Sequence, residues 1–276
     1  MSTINYVTVM VYGQFRSYKL NINNNLQLLY DIFDSNTNFL FFILSDKEEK
    51  GNYSQFNENN IKQIIENNPN NKIAYFNYIE NISDCLKKED LINSQFYKTI
   101  KYSYGTENNT FMGTLLYRKY LLNKIKNNFL KDNNIQTEYQ VFLRLFDINI
   151  EKIGNYNFFK HIDDKSIVGS LDTIFIGKKE SIDFLFNISK LIKYGFIYHD
   201  YVWKIKDFSD SVKKIDYNFY SNKITYCPEM QYLCHLYFNG YLFYNIRFDY
   251  TNPNKNEKYI NEVYDIKLCP DRFKCT

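Results

Sequence analysis

The segment INYVTVMVYGQFRS, residues 4–17, decides the fold expected of this chain. Its first nine residues are mostly apolar and predict a buried strand, and Gly13 predicts a tight turn after it. Residues 21–33 then have the pattern of a helix. A turn between a strand and a helix presents free backbone N–H groups, and Arg16 adds a positive charge. We therefore predict that the chain begins with a nucleotide-binding α/β unit whose turn faces phosphate groups.

The composition is that of a folded protein. Of the 276 residues, 45% are hydrophobic and 19% are aromatic, which is enough material for a core. A chain of this length fits one large α/β domain. The tail from Thr251 onwards is rich in Asn and Lys, and we predict that it is loop with little core.

Charge, cysteine content and hydropathy argue against several classes of protein. A net charge of +3 is too small for the clustered basic surface of a nucleic-acid-binding domain. The five cysteines lack the paired spacing of a zinc site, and they predict free thiols in a reducing compartment. No apolar run approaches the ~18 residues of a membrane-spanning helix. We expect a cytoplasmic protein with no nucleic-acid partner and no transmembrane segment.

Strand-like and helix-like segments alternate through the first half of the chain. The apolar pattern predicts strands over residues 39–44 and 73–78, a helix over residues 61–66 and a longer helix over residues 110–130. Strands that are joined by helices form a mainly parallel sheet. The predicted fold class is therefore α/β, with a Rossmann-type, mainly parallel sheet flanked by helices.

A further strand, predicted over residues 140–146, leads to the second candidate site. The run is short and apolar except for Arg144, which is typical of a central strand. Its end delivers Asp147 to the carboxyl edge of the sheet, where ligands bind in open α/β folds. Because side chains alternate along a strand, Arg144 points away from Leu143 and Leu145 and needs a polar partner.

The second half of the chain continues this pattern less regularly. We predict a strand over residues 171–177, helices over residues 179–191 and 230–238, and a late strand over residues 241–249. Gly240 is placed to end the second of these helices.

Four short stretches of the chain carry a family resemblance. They are Gly13-Gln14-Phe15-Arg16-Ser17, Leu143-Arg144-Leu145-Phe146-Asp147, Leu171-Asp172-Thr173-Ile174-Phe175-Ile176-Gly177, and Pro228-Glu229 before a late helix. Their order and spacing resemble those of a group of GT-A-type glycosyltransferases found in bacterial polysaccharide loci and in large DNA viruses. The resemblance implies one GT-A-like domain over residues 1–276. Its nucleotide-binding half spans about residues 1–150 and its acceptor half about residues 151–250, followed by a C-terminal tail.

The resemblance also implies a nucleotide-sugar donor, a glycan or other hydroxyl acceptor, and a divalent cation. The implied donor-binding residues are Gly13, Gln14, Arg16 and Arg144. The cation, Mn²⁺ or Mg²⁺, is implied to bind a D-x-D motif, which here reads Asp147-Ile148-Asn149. The amide of Asn149 replaces the second carboxylate, so it offers a carbonyl oxygen to a metal without adding charge.

Asp172 and Glu229 are implied as candidates for acceptor binding or for the general base. A base is needed if the transfer inverts the sugar's configuration, because the acceptor hydroxyl must lose its proton. Structural alternatives remain open for each candidate. Glu229 is also placed to stabilise the first turn of a helix, and Asp147 to accept hydrogen bonds from backbone N–H groups at a strand end. Arg144 is either a donor contact or half of an ion pair with Asp147 or Asp172. His235 is a weaker candidate for acid–base chemistry or metal binding.

Functions of different classes are consistent with this pattern. The first is transfer of a sugar from a nucleotide sugar to a hydroxyl acceptor. The second is a non-catalytic GT-A-like binding or assembly protein, which the amide of Asn149 motivates. A nucleotidyltransferase is a third option. The sequence contains no GxSxG, Walker A or GxGxxG motif, which argues against serine hydrolases, P-loop enzymes and dinucleotide-dependent dehydrogenases.

Overall fold

The structure of the chain is a computed structural model. The residues that it describes are 6–13, 18–46, 58–79, 110–144, 149–151, 159, 162–170, 174–187, 235–236, 239–245, 249–252, 257–258 and 266–267.

Strands and helices alternate along the first half of the chain, as its apolar pattern predicts. The elements are β1 (Tyr6–Gly13), α1 (Tyr18–Phe33), β2 (Asn38–Asp46), α2 (Glu58–Glu66), β3 (Asn71–Ile79), α3 (Thr110–Asp132) and β4 (Thr137–Arg144). Each predicted strand and helix of this half is found close to its predicted bounds.

The second half contributes mostly short strands. The elements are β5 (Asn149–Glu151), β6 (Ser166–Ser170), β7 (Ile174–Lys178), α4 (Lys179–Leu185), β8 (Leu242–Asn245), β9 (Asp249–Asn252), β10 (Glu257–Lys258) and β11 (Ile266–Lys267). The helix predicted over residues 179–191 is shorter than expected, because the backbone leaves the helical conformation at Phe186.

Among the described residues, eight strands form one sheet in the order β11-β8-β6-β7-β4-β1-β2-β3. The pairs β1–β2, β1–β4, β2–β3 and β6–β8 are parallel. Strand β7 runs antiparallel to both β4 and β6, and β11 runs antiparallel to β8. Six of these eight strands therefore point the same way, and helices cover both faces. The described part of the chain has a Rossmann-like α/β fold, which confirms the predicted fold class.

Alternating side chains of the central strands build a core on each face of the sheet. Val9, Phe41 and Val141 belong to the core that includes buried residues of α1 and α2. Phe42 faces the other way and contacts Phe129 of α3, with 5.5 Å between the ring centroids. Strand β1 is buried on both faces, and this explains why its sequence is a nearly continuous apolar run instead of an alternating one.

A second, smaller sheet contains β10, β9 and β5 in that order. Strand β5 pairs antiparallel with β9, so that Asn149 lies opposite Thr251 and Glu151 opposite Asp249. Strand β5 also contacts α1. The chain that leaves β4 therefore continues on the side of the main sheet that α1 covers.

Two predictions for the end of the chain are wrong. The tail from Thr251 was expected to be loop, yet Thr251 lies in β9 and Ile266–Lys267 forms the outermost strand of the main sheet. The single strand predicted over residues 241–249 is divided between β8 in the main sheet and β9 in the small one. The strands of the tail were missed because strands of two to four residues are held by backbone pairing and carry little sequence signal. The division of residues 241–249 was missed because the sheet that a strand joins depends on partners distant in the sequence.

The predicted helix end at Gly240 is confirmed by the backbone. Gly240 has a φ of +73°, a conformation that favours glycine. The N–H of Tyr241 donates to the carbonyl of Leu236 at 2.9 Å, which is the hydrogen bond of a Schellman helix end.

Candidate functional site

The carboxyl ends of β1, β2 and β4 lie side by side and form the candidate site. The parallel register pairs Gly13 with Ser45 and Tyr12 with Arg144. The chain adds β2 and β3 on one side of β1 and then crosses to add β4 on the other. The strand order thus reverses between β1 and β4. In open α/β sheets, the crevice at such a reversal is where ligands bind.

A glycine and a buried hydroxyl hold the backbone at the end of β1. Gly13 has a φ of +133°, which side-chain-bearing residues rarely adopt. The Oγ atom of Ser45, at the end of β2, donates to the carbonyl oxygen of Gly13 at 2.9 Å. Ser45 is almost fully buried. The backbone at the end of β1 is therefore held by these two residues.

We expect Ser45→Ala to lower the free energy of unfolding by about 1 kcal/mol, because the buried carbonyl of Gly13 loses its side-chain donor. Urea denaturation of the variant and the wild type measures the difference. Ser45→Thr keeps the hydroxyl and serves as the matched control. An Ala variant that is as stable as the wild type would show that this hydrogen bond does not form in solution.

Arg144 is the last residue of β4 and is half-buried. It shares a face of the sheet with Phe142, whose ring stacks on Tyr12 with 6.3 Å between centroids. Leu143 points to the opposite face and belongs to the core beneath α1, so the predicted alternation is confirmed. Lys119 of α3 places its Nζ atom 5.1 Å from the centroid of Phe142. Lys119 therefore lies over one ring of the aromatic pair, and Arg144 occupies the same face of the sheet.

The hairpin of β6 and β7 turns at the same edge of the sheet. Ile174 pairs with Leu143 near the end of β4, and Ser170 pairs with Ile174. Only residues 171–173 separate these two paired positions, and Asp172 is among them. Residues 171–173 lie outside the described residues, and the strand ends on either side of them are at the carboxyl edge.

Most side chains implied by the family resemblance lie outside the described residues. They are Gln14, Arg16, Asp147, Asp172 and Glu229. Asn149 opens β5, and its backbone position is opposite Thr251. Gly13 and Arg144 are described, and the structure brings both to the carboxyl edge. Within the described residues, no group of three or more His, Cys, Asp or Glu side chains is arranged to hold a metal ion.

A polar cluster near the amino edge of the sheet was not recognised from the sequence. Lys126 of α3 is fully buried, and its Nζ atom donates to Asn123 Oδ1 at 2.8 Å, to Asp183 Oδ1 at 2.6 Å and to Gln140 Oε1. Lys179 donates to the other carboxylate oxygen of Asp183 at 2.7 Å. The cluster joins α3, β4 and α4.

Opposing effects set the ionisation of this cluster. Burial lowers the pKa of Lys126 to about 8, although the charge of Asp183 and the hydrogen bond to it act in the other direction. Desolvation acts to raise the pKa of Asp183, but the charges and hydrogen bonds of Lys126 and Lys179 outweigh it, and the pKa is lowered. Both partners are therefore charged at neutral pH.

His235 lies in an aromatic stack beside α4. Its ring is parallel to that of Phe184 at 4.3 Å between centroids, and Phe184 stacks on Tyr241 at 4.4 Å. The Nε2 atom of His235 lies 3.2 Å from the carbonyl oxygen of Phe184. These are the contacts of a packed core histidine, and they do not support the acid–base or metal-binding role considered from the sequence.

A scan against protein-family models gives no match, and no curated protein is similar to the chain at a significant level. The class that the described residues define is a Rossmann-like α/β protein with a candidate ligand site at the carboxyl edge of its sheet. None of the described helices combines the length and the apolar character required to cross a membrane.

Proposed function

We propose that the chain is a GT-A-type glycosyltransferase, which moves a sugar from a nucleotide-sugar donor to a hydroxyl of a glycan or another acceptor. The observation that carries this proposal is the pairing of Tyr12 with Arg144 across β1 and β4. It sets the glycine turn beside the strand that precedes the acidic motif, at the reversal of the strand order. A nucleotide diphosphate fits this position in an open α/β sheet.

Chain connectivity supports a shared site for the two loops. Arg16 follows Gly13 by three residues, and Asp147 follows Arg144 by three. Three residues span at most about 10 Å, and neighbouring strands are about 4.8 Å apart. These spans allow both side chains to reach one diphosphate group, as the proposal requires.

The proposed chemistry requires positive charge at this edge. Breaking the bond between the sugar and the phosphate leaves a nucleoside diphosphate, on which negative charge grows in the transition state. In our proposal Asp147 and Asn149 hold Mn²⁺ or Mg²⁺ on the diphosphate, and the cation neutralises this charge. Arg16 and Arg144 add planar, bidentate contacts to the phosphates, with Gly13 and Gln14 supplying backbone N–H groups.

The acceptor side of the reaction needs a carboxylate if the configuration inverts. We favour Asp172 over Glu229, because its described neighbours Ser170 and Ile174 pair with each other at the carboxyl edge. Ile174 is also paired with Leu143 of the neighbouring strand β4. We assign the role of general base to Asp172 and keep Glu229 as the alternative.

Isothermal titration with nucleoside diphosphates tests the proposal. We expect UDP or GDP to bind the wild type more tightly when Mn²⁺ is present. Arg144→Gln should bind about tenfold more weakly, because a charge-assisted phosphate contact is lost. Lys131→Gln, at an exposed position near the end of α3, is the matched control and should bind normally. Absence of binding by the wild type with and without Mn²⁺ would refute the proposal.

A non-catalytic binding or assembly protein is the second candidate, because Asn149 supplies no charge to a metal. Donor hydrolysis separates the two functions. A transferase slowly releases free sugar from its donor even without an acceptor, whereas a binding protein releases none. Release of pyrophosphate instead would identify a nucleotidyltransferase.

A further inference from the structure

The ammonium group of Lys126 has hydrogen-bond acceptors for all its donors only when α3 occupies its observed position on the sheet. An ammonium group has three N–H donors. Three acceptors surround this one, namely Asn123 on the same helix, Gln140 on β4 and Asp183 on α4. Because the side chain has 0% exposure, bulk water does not replace an acceptor that moves away.

The carboxylate of Asp183 is held from several sides as well. Its Oδ1 atom accepts from Lys126 and, at 3.1 Å, from Asn127 Nδ2. Its Oδ2 atom accepts from Lys179 at 2.7 Å. Three elements of the fold therefore meet in one directional network, which we call the Lys126 network (Asn123, Lys126, Asn127, Gln140, Lys179 and Asp183).

We propose that the Lys126 network is a register lock, which fixes how far α3 is advanced along the sheet. A helix rises about 1.5 Å and turns about 100° per residue. A slip of one residue turns Lys126 away from Gln140 and Asp183 and leaves its buried charge without these partners. Apolar neighbours such as Leu122 tolerate a slip far better, because hydrophobic contacts are not directional.

The length of α3 connects the register lock to the candidate site. Helix α3 has 23 residues, about 34 Å, whereas β4 has 8 residues, about 26 Å. The turn at Asn133 and Asn134 reverses the chain from α3 into β4, so the two elements run antiparallel from the amino edge. The first turns of α3 therefore lie toward the carboxyl edge. The register set at Lys126 decides where these turns stand relative to Arg144.

A double-mutant cycle tests the network. Lys126→Met and Asp183→Leu each leave one charged group buried without its main partner, and each should lower the unfolding midpoint by on the order of 10 °C. The double variant removes both charges and should regain most of that loss. Lys62→Met, which breaks the exposed pair with Glu58, is the matched control and should not shift the midpoint measurably. Single variants as stable as the wild type would overturn the proposal, as would a double variant in which the two losses add.

Hydrogen exchange separates a register lock from a merely stabilising contact. The backbone amides of α3 over residues 117–130 are measured in the wild type and in the double variant at equal distance from their unfolding midpoints. We expect at least tenfold faster exchange in the double variant, because apolar packing alone permits several registers. Protection equal to that of the wild type would show that Lys126 stabilises α3 without fixing its register.

The pH dependence of stability tests the burial of the ammonium group on which the lock depends. Asp183, Lys179 and Glu180 are the charged groups that act on Lys126. Its pKa is about 8 in the folded chain and about 10.5 when unfolded. Between these values the unfolded chain binds a proton that the folded chain does not, so this group makes stability rise with pH. The thermal unfolding midpoint of the wild type minus that of Lys126→Met should therefore increase from pH 8 to pH 10. A constant difference would show that the pairing with Asp183 offsets the burial of the ammonium group and would contradict the lowered pKa, whereas the lock itself is decided by the mutant cycle and by hydrogen exchange.

Discussion

Replacing Asp147 with alanine is expected to reduce donor turnover by about 10²-fold or more while leaving the fold intact. In the proposed reaction this carboxylate is the one charged protein ligand of the cation, because its motif partner Asn149 is an amide. Without it, the charge that grows on the leaving diphosphate is not neutralised. Release of nucleoside diphosphate measures turnover, and thermal unfolding checks the fold.

Two further variants sharpen this experiment. Asp132→Ala removes an exposed carboxylate at the end of α3 and should leave turnover unchanged. Asn149→Asp restores the second carboxylate of the motif and should tighten the binding of Mn²⁺, since hard cations prefer charged oxygen ligands. A fully active Asp147→Ala variant would show that the metal assignment is wrong, even if nucleotide binding is confirmed.

The central strands could be predicted because they are buried on both faces, and such strands are continuous apolar runs in the sequence. Strand β1 is apolar at nearly every position, since helices cover both of its faces. Gly13 gives a similar signal, because glycine is common where the backbone needs a positive φ, and Gly13 has one. From these signals the alternation of strands and helices follows, and so does the carboxyl edge as the place of the candidate site.

The parts that could not be predicted depend on contacts between segments distant in sequence. The reversed direction of β7 follows from its hairpin with β6, which is set by the pairing of Ser170 with Ile174. Such pairing has no local sequence signal. The Lys126 network was missed because a lysine ordinarily indicates a solvent-facing position. One signal was available: Lys119, Asn123 and Lys126 are spaced at three, four and seven residues, and they share the buried face of α3.

Gly169→Ala is expected to destabilise the fold by about 3 kcal/mol or more. A Cβ atom at this position would overlap the carbonyl oxygen of Ile174 and lie 3.0 Å from the Cα atom of Phe175. Both atoms belong to the backbone of β7, so no side-chain rotation relieves the overlap. The β6–β7 hairpin must shift, and with it the fully buried ring of Phe175, which contacts Phe142 at 5.9 Å between centroids.

Gly177→Ala, in the partner strand of the same hairpin, is the matched control for this effect. Its Cβ atom would lie 3.3 Å from the carbonyl oxygen of Ser166 and 3.4 Å from side-chain atoms of Ile167 and Ile182, which is close to ordinary van der Waals contact. Urea denaturation should therefore show a loss of only about 1 kcal/mol. Equal losses at the two glycines would contradict the close approach of β6 to β7.

Because Gly169 lies three residues before Asp172, its replacement should also reduce donor turnover at temperatures where the variant remains folded. Normal turnover there would argue against Asp172 as the general base and in favour of Glu229.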